Sequence, residues 1–298
     1  MPSTDPDDRN RKRLRLRRRG KRAYIRSVHL IPSMATLGNA ICGFAAIYVS
    51  HLAGPLESGG GDPWTAMFLK HKFLWACYLI LAAMLFDALD GRLARWARHT
   101  TDFGGQLDSM ADVISFGAAP AMIALALFKE QASHAPLFVS RLVWAIGAVY
   151  MCCAAIRLAR FNVSNEHGEQ HHMSFLGLPS PGAAAAVIGI VLVQQELAYD
   201  ATTLPFLNGL ATVAIVLLPA ITLASGLLMV SNFRYPHVVN KYLRGRRTIG
   251  RLVFALLGAV LVVTAHRYTI GITSIVYALS APATAAYLRY GRHKPLAA

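Results

Sequence analysis

An all-α, polytopic membrane helical bundle is the fold class this chain predicts, and three observations predict it. Of 298 residues, 55% are hydrophobic and only 15% are charged, against about 25% charged in ordinary soluble domains. Mean hydropathy is +0.41. The apolar residues gather into eight runs, at 34–53, 73–90, 109–128, 138–157, 179–197, 206–230, 250–265 and 270–288, each near the length needed to cross about 30 Å of hydrocarbon. None of the runs alternates in polarity as an outer-membrane strand must, and an open strand edge is not tolerated in lipid, so each reads as a helix.

The chain begins with a basic arm. Eleven Lys/Arg residues lie between Arg9 and Arg26, within a formal net charge of +15. Such a run elsewhere could be a nucleic-acid patch. Directly before a membrane span it predicts a segment held on the cytosolic side against anionic headgroups, with no nucleic-acid partner. Pro32 and Asn39 interrupt the apolar run that follows, which argues against a cleavable signal.

Loop charge sets the orientation of the remaining elements. Arg92, Arg95 and Arg98 follow the second run, Arg157 and Arg160 close the fourth, and Arg234, Lys241, Arg244, Arg246 and Arg247 follow the sixth. The loops near 54–72, 129–137, 198–205 and 266–269 carry few cations. Eight spans then put both termini in the cytosol, with a basic arm at 1–26, one membrane domain at 27–290 and a short cytosolic tail at 291–298. Cys42, Cys77, Cys152 and Cys153 all fall in apolar runs without zinc-site spacing, and read as small membrane residues. Pro179, Pro181, Pro219 and Pro282 are expected to start or kink helices, and the apolar faces of the last two runs to meet lipid or a second copy.

The second and third runs are joined by "DALDGRLARWARHTTDFGGQLDSMAD", residues 87–112. Asp87 and Asp90 are three apart, and Asp108 and Asp112 four apart, spacings that put each pair on one helix face. A short turn between antiparallel helices would bring all four together near the cytosolic surface. A carboxylate in a bilayer costs at least about 2.5 kcal/mol unless paired, hydrated or bound to a cation. Oxygen-only ligation suits Mg²⁺ or Mn²⁺. Gly91 and Ala94 strip bulk from the same helix, Gly104 and Gly105 form the turn, and Arg95 is placed to meet a phosphate. "EHGEQHH", with His167, His171 and His172, completes no metal spacing and reads as a loop.

The string Asp87-x2-Asp90-Gly91-x2-Ala94-Arg95-x8-Gly104-x3-Asp108-x3-Asp112 resembles the full motif of the CDP-alcohol phosphatidyltransferases. The stretches "IPSMATLGNAICGF", "DVISFGAAPA", "RLARFN", "FLGLPSP" and "LMVSNFRYP" are similar to the bacterial phosphatidylserine synthase branch of that family. The resemblance implies a six-helix core, here with two further helices, around a cytosol-facing site in a bacterial inner membrane. It also implies a homodimer and two divalent ions held by Asp87, Asp90, Asp108 and Asp112. CDP-diacylglycerol would be the donor and L-serine the acceptor, with CMP released and Asp112 acting as general base.

Gly91, Ala94, Arg95 and Thr101 sit where the family contacts the donor, with Thr36, Asn39 and Gly104 beside them, although Thr101 also fits a helix N-cap. Arg157 and Arg160 are candidates for the serine carboxylate, with Ser115 and Asn162 lining the approach; both arginines also fit cytosolic membrane anchors. Two other readings stand beside this one. The same chemistry could serve glycerol 3-phosphate or an inositol phosphate, acceptors that call for a denser basic pocket. A cation or solute transporter would more naturally carry repeated halves and a midplane site.

Overall fold

The computed structural model describes residues 34–53, 62–97, 102–166, 175–235 and 264–291. Its helices are α1 (Met34–Ser50), α2 (Pro63–Lys70), α3 (Lys72–Ala97), α4 (Asp102–Asp112), α5 (Ala119–Gln131), α6 (Leu137–Glu166), α7 (Ser180–Asp200), α8 (Leu207–Val230) and α9 (His266–Gly291). A π-helical segment, Val113–Ala118, joins α4 to α5 without a break. Five spans within these helices are long and apolar enough to cross a membrane, and α1 is a shorter apolar helix. The all-α membrane bundle is therefore the fold. The predicted run at 250–265 lies almost wholly outside the described residues, as does the basic arm.

Peripheral helices divide their residues into an exposed apolar row and a packing row. In α1 the exposed residues Met34, Leu37, Ile41, Phe44 and Tyr48 follow the helical repeat. The opposite face carries Thr36, Asn39, Ala46 and Ser50, all buried. α7 differs, since Ala183, Ala184 and the whole stretch from Ala186 to Leu192 are buried. A helix apolar on all sides belongs in the centre, and α7 packs against α3, α5, α8 and α9.

The last helix leaves Ile272, Val276 and Leu279 exposed and packs its other face into the bundle. Its buried positions Gly271, Ser274, Ala278 and Ala281 form one stripe turned inward. A Cβ on Gly189 of α7 would fall 2.5 Å from Ser274 Oγ and 3.0 Å from Gly271 Cα. With no hydrophobic drive between helices in lipid, such small-residue contacts are what let backbones approach and gain dispersion energy.

The π-helical segment has a local cause. Pro120 has no N–H, so the Phe116 carbonyl lacks its usual donor four residues on. The hydroxyl of Tyr150 on α6, fully buried, donates to that carbonyl at 3.0 Å. Tyr150→Phe is expected to lower stability by about 1–3 kcal/mol, because it strands a buried carbonyl in an apolar setting. A thermal melt in detergent measures this, and an unchanged midpoint would show the carbonyl to be satisfied otherwise.

The two ends of the bundle are pinned by polar contacts. At one end Lys72 Nζ meets Glu130 at 2.6 Å and the Leu52 carbonyl at 2.9 Å. There too Arg267 pairs with Glu196, and the Tyr268 hydroxyl donates to Asp200 at 2.8 Å. At the other end, the turn before α7 is tied to the end of α8. Gly177, at φ +82°, occupies a left-handed conformation open to glycine at little cost. Its N–H donates to Phe233 O at 2.8 Å, and Leu178 N–H donates to Leu228 O at 2.9 Å. The adjoining strands β1 (Phe175–Leu176) and β2 (Arg234–Tyr235) pair antiparallel, with Phe175 opposite Tyr235 and Leu176 opposite Arg234. Pro179 caps α7 and Pro181 opens its first turn, as expected of prolines at a helix start. Pro219 and Pro282 lie inside α8 and α9.

Candidate active site

The acidic residues come together at the end of the bundle where α3 finishes and α4 begins. Asp87, Asp108 and Asp112 each offer a carboxylate oxygen within 4.8 Å of the other two. Helix geometry accounts for this: Asp108 and Asp112 are one turn apart on α4, and Asp87 lies in the second half of α3. Asp112 is 8% exposed, and one oxygen of Asp108 is buried without a hydrogen-bond donor. Three carboxylates so close repel one another strongly unless a cation neutralises them. The donor set is all oxygen, and an unsatisfied buried carboxylate oxygen points at the same place. These residues fit a hard divalent cation.

Asp90 stands at the edge of this group. Its Oδ2 accepts a hydrogen bond from the Thr36 hydroxyl on α1, and it still interacts electrostatically with Asp87 and Asp108. Asn39, one turn further along α1 and fully buried, donates from Nδ2 to Asp112 Oδ1 at 2.9 Å. Thr36 and Asn39 were expected beside the donor nucleotide; their side chains bond to the aspartates and set carboxylate orientation.

α1 reaches the aspartates because of Gly43. A Cβ there would fall 2.6 Å from Ser115 Cα and 2.8 Å from Ser115 Cβ. Ser115 itself is fully buried and its hydroxyl donates to the Ala111 carbonyl at 2.8 Å. Its small size lets α1 come close at Gly43.

The remaining candidates divide. The space around Gly91 is open, with nothing within 4 Å of where a Cβ would stand. Gly104 lies in the first turn of α4, part of a helix and not of the turn assigned to it. Ala94 and Arg95 lie near the end of α3, and Thr101 and the histidines of 167–172 lie outside the described residues. Arg160 is exposed and its guanidinium donates to Asn232 Oδ1 at 3.3 Å from both terminal nitrogens. Asn162 donates to Ser109 Oγ at 2.9 Å, tying α6 to α4. Asn162 thus ties two helices, and Arg160 ties α6 to the segment after α8.

Arg157 is different. One terminal nitrogen donates to Ser180 Oγ at 2.6 Å, while its Nε is buried without a partner. The guanidinium interacts electrostatically with Asp112 without a direct ion pair, leaving a cation beside the acidic group. Ser180 went unnoticed as a site residue. Its only signal was its place between Pro179 and Pro181, which start the helix that brings it to Arg157.

Two kinds of comparison bear on this site. The family model described as "CDP-alcohol phosphatidyltransferase" matches residues 29–223, which include every residue of the acidic group. A Helicobacter pylori protein named "CDP-diacylglycerol--serine O-phosphatidyltransferase" is 34% identical over 217 residues, covering 72% of this chain and 74% of its own. A Bacillus subtilis protein of the same name is 30% identical over 211 residues, covering 70% and 92%. One from Methanocaldococcus jannaschii is 35% identical over 165 residues, covering 55% and 64%.

Proposed function

Because the chain belongs to the CDP-alcohol phosphatidyltransferase family and is a membrane enzyme of that chemistry, we propose that it transfers the phosphatidyl group of CDP-diacylglycerol to the hydroxyl of L-serine, releasing CMP. The observation that carries the reading is the convergence of Asp87, Asp108 and Asp112 beside the unpartnered Arg157 Nε. The named relatives support serine as the acceptor.

In this reading Asp112 takes the serine hydroxyl proton as that oxygen attacks the β-phosphorus. The new oxygen–phosphorus bond forms as the bond to CMP breaks. One oxygen of Asp112 is occupied by the Asn39 amide, and its other oxygen is the proton acceptor. Positioned proton transfer of this kind is worth about 10²- to 10⁴-fold. Asp87, Asp90, Asp108 and Asp112 would hold one or two Mg²⁺ or Mn²⁺ ions, which when bound neutralise charge on the phosphoryl group and on departing CMP. Open space at Gly91 admits the donor's cytidine end. Arg157 receives the serine carboxylate, for which a guanidinium is the natural partner.

The distribution of basic residues supports an active site and termini facing the cytosol of a bacterial inner membrane, with the arm at 1–26 on anionic lipid and one membrane domain at 27–290. A homodimer belongs to the same reading. The test is CMP release by purified protein with CDP-diacylglycerol and Mn²⁺ or Mg²⁺, comparing L-serine, glycerol 3-phosphate and myo-inositol 1-phosphate. Serine-dependent release is expected. Release with one of the phosphates instead would move the acceptor, and release with none, in protein shown to bind Mn²⁺, would favour a cation transporter.

A further inference from the structure

α9 lies beyond the residues matched by the family model, which end at 223, yet it is locked to the same end of the bundle as the acidic group. Two contacts set its register. Gly189 and Gly271 cross so tightly that a Cβ on Gly271 would fall 2.6 Å from Gly189 O. Nearer the site, the fully buried Tyr235 hydroxyl donates to Ala278 O at 2.8 Å. Burial, with Tyr277 alongside, pushes that phenol up to about 12, so at neutral pH it is a protonated donor.

With the register set, Tyr277 is delivered to the first turn of α7. Its ring packs on Gly182, where a Cβ would stand 3.1 Å from Tyr277 Cε1. Its centroid is 5.7 Å from that of Tyr235. Gly182 is two residues from Ser180, whose Oγ accepts from Arg157 at 2.6 Å. Tyr277 and Arg157 interact electrostatically. Among the described residues the Tyr277 hydroxyl makes no hydrogen bond, and Arg157 Nε is without one as well. Two donors with open valence therefore stand at the first turn of α7, Arg157 through Ser180 and Tyr277 through Gly182, within electrostatic reach of each other.

We infer that Tyr277 is a specificity contact for the acceptor, its hydroxyl donating to the carboxylate of a small amino acid alcohol whose other carboxylate oxygen meets Arg157. The inference rests on the serine reading above. The division of labour is chemically sensible. Activating a hydroxyl against a CDP-linked phosphate is common to every acceptor and needs only the acidic group. Telling one alcohol from another needs a further group, and here a helix outside the matched core carries it. A site built to hydrogen-bond a particular polar group rejects analogues that lack it far better than an apolar wall does.

The experiment is steady-state kinetics of Tyr277→Phe and Tyr235→Phe against the wild-type protein, varying L-serine, CDP-diacylglycerol and, as an acceptor without a carboxylate, serinol. Loss of a hydrogen bond to a charged group predicts that Tyr277→Phe lowers kcat/KM for L-serine by about 10- to 100-fold. The loss should fall on the serine KM, leaving the CDP-diacylglycerol KM and any serinol turnover unchanged. Tyr235→Phe, which removes the tie to Ala278 but keeps the ring and the Gly189–Gly271 crossing, should lower thermal stability and raise the serine KM by less than Tyr277→Phe does. An unchanged serine KM in Tyr277→Phe overturns the inference alone, as does an equal rise in Tyr235→Phe, which would mark a packing effect. A wild-type protein that releases CMP only with another acceptor overturns the serine reading, and this contact with it.

Discussion

Asp112→Asn is expected to lower serine-dependent CMP release by about 10²- to 10⁴-fold, the range associated with loss of a positioned general base, while leaving the bundle folded. The substitution is nearly isosteric. The new amide oxygen can still accept from Asn39 Nδ2, which now donates to Asp112 at 2.9 Å, so the tie between α1 and α4 survives. What disappears is one negative charge within electrostatic reach of Arg157 and the carboxylate oxygen that would take the proton. The sign of the stability effect is the reverse of the activity effect. Asp87, Asp108 and Asp112 crowd oxygens within 4.8 Å, and removing one like charge relieves repulsion in the metal-free protein. The variant should therefore melt higher than wild type in EDTA. It should also gain less on addition of Mn²⁺, since a ligand stabilises the folded state only through its own affinity. Wild-type turnover in Asp112→Asn would end the base assignment, and an undiminished Mn²⁺-induced shift would end its role as a ligand.

Gly43→Ala should damage both activity and stability, although the position lies away from the acids. Its Cβ would stand 2.6 Å from Ser115 Cα and 3.0 Å from Ser115 N. These are backbone atoms of a continuous helix and cannot rotate aside. Ordinary contact begins near 3.4 Å, so α1 must retreat by about 1 Å at that point, and misplacement on that scale costs about 100-fold in rate. The retreat loosens the two hydrogen bonds that α1 makes to the acids, Thr36 to Asp90 and Asn39 to Asp112. Overpacking of this kind also costs about 1–3 kcal/mol of stability. Activity and melting temperature are both read on the purified variant. A Gly43→Ala protein as active as wild type would show that the α1 contacts are dispensable for aligning the carboxylates.

The pairing of these two positions explains why the site is built around a π-helical segment. Asp112 is the last residue before it and Ser115 lies within it. Widening the helix there displaces the following residues around the axis, and Tyr150 compensates for the carbonyl left short by Pro120. Segments of this kind are found disproportionately at functional sites, and here the segment carries the backbone on which α1 rests.

Sequence alone determined the fold class, because apolar runs of membrane-crossing length have one low-energy conformation in lipid. Seven of the eight runs lie on described helices: α1, α3, α4 through α5, α6, α7, α8 and α9. It likewise determined the acidic group, because helical spacing is a local property: residues three and four apart share a face whatever surrounds them. Partners across helices are not local, and only the tertiary structure decided them. Nothing in the chain says that Thr36 serves Asp90 and Asn39 serves Asp112, since those contacts cross 54 and 73 residues. Nor does it say that Arg157 turns inward to Ser180 while Arg160, three residues on, turns out to Asn232. Tyr277 was illegible for the same reason. An aromatic residue on an apolar helix carries no local signal, and its place against Gly182 comes from the packing of α9 on α7, with Gly189 and Gly271 crossing closely.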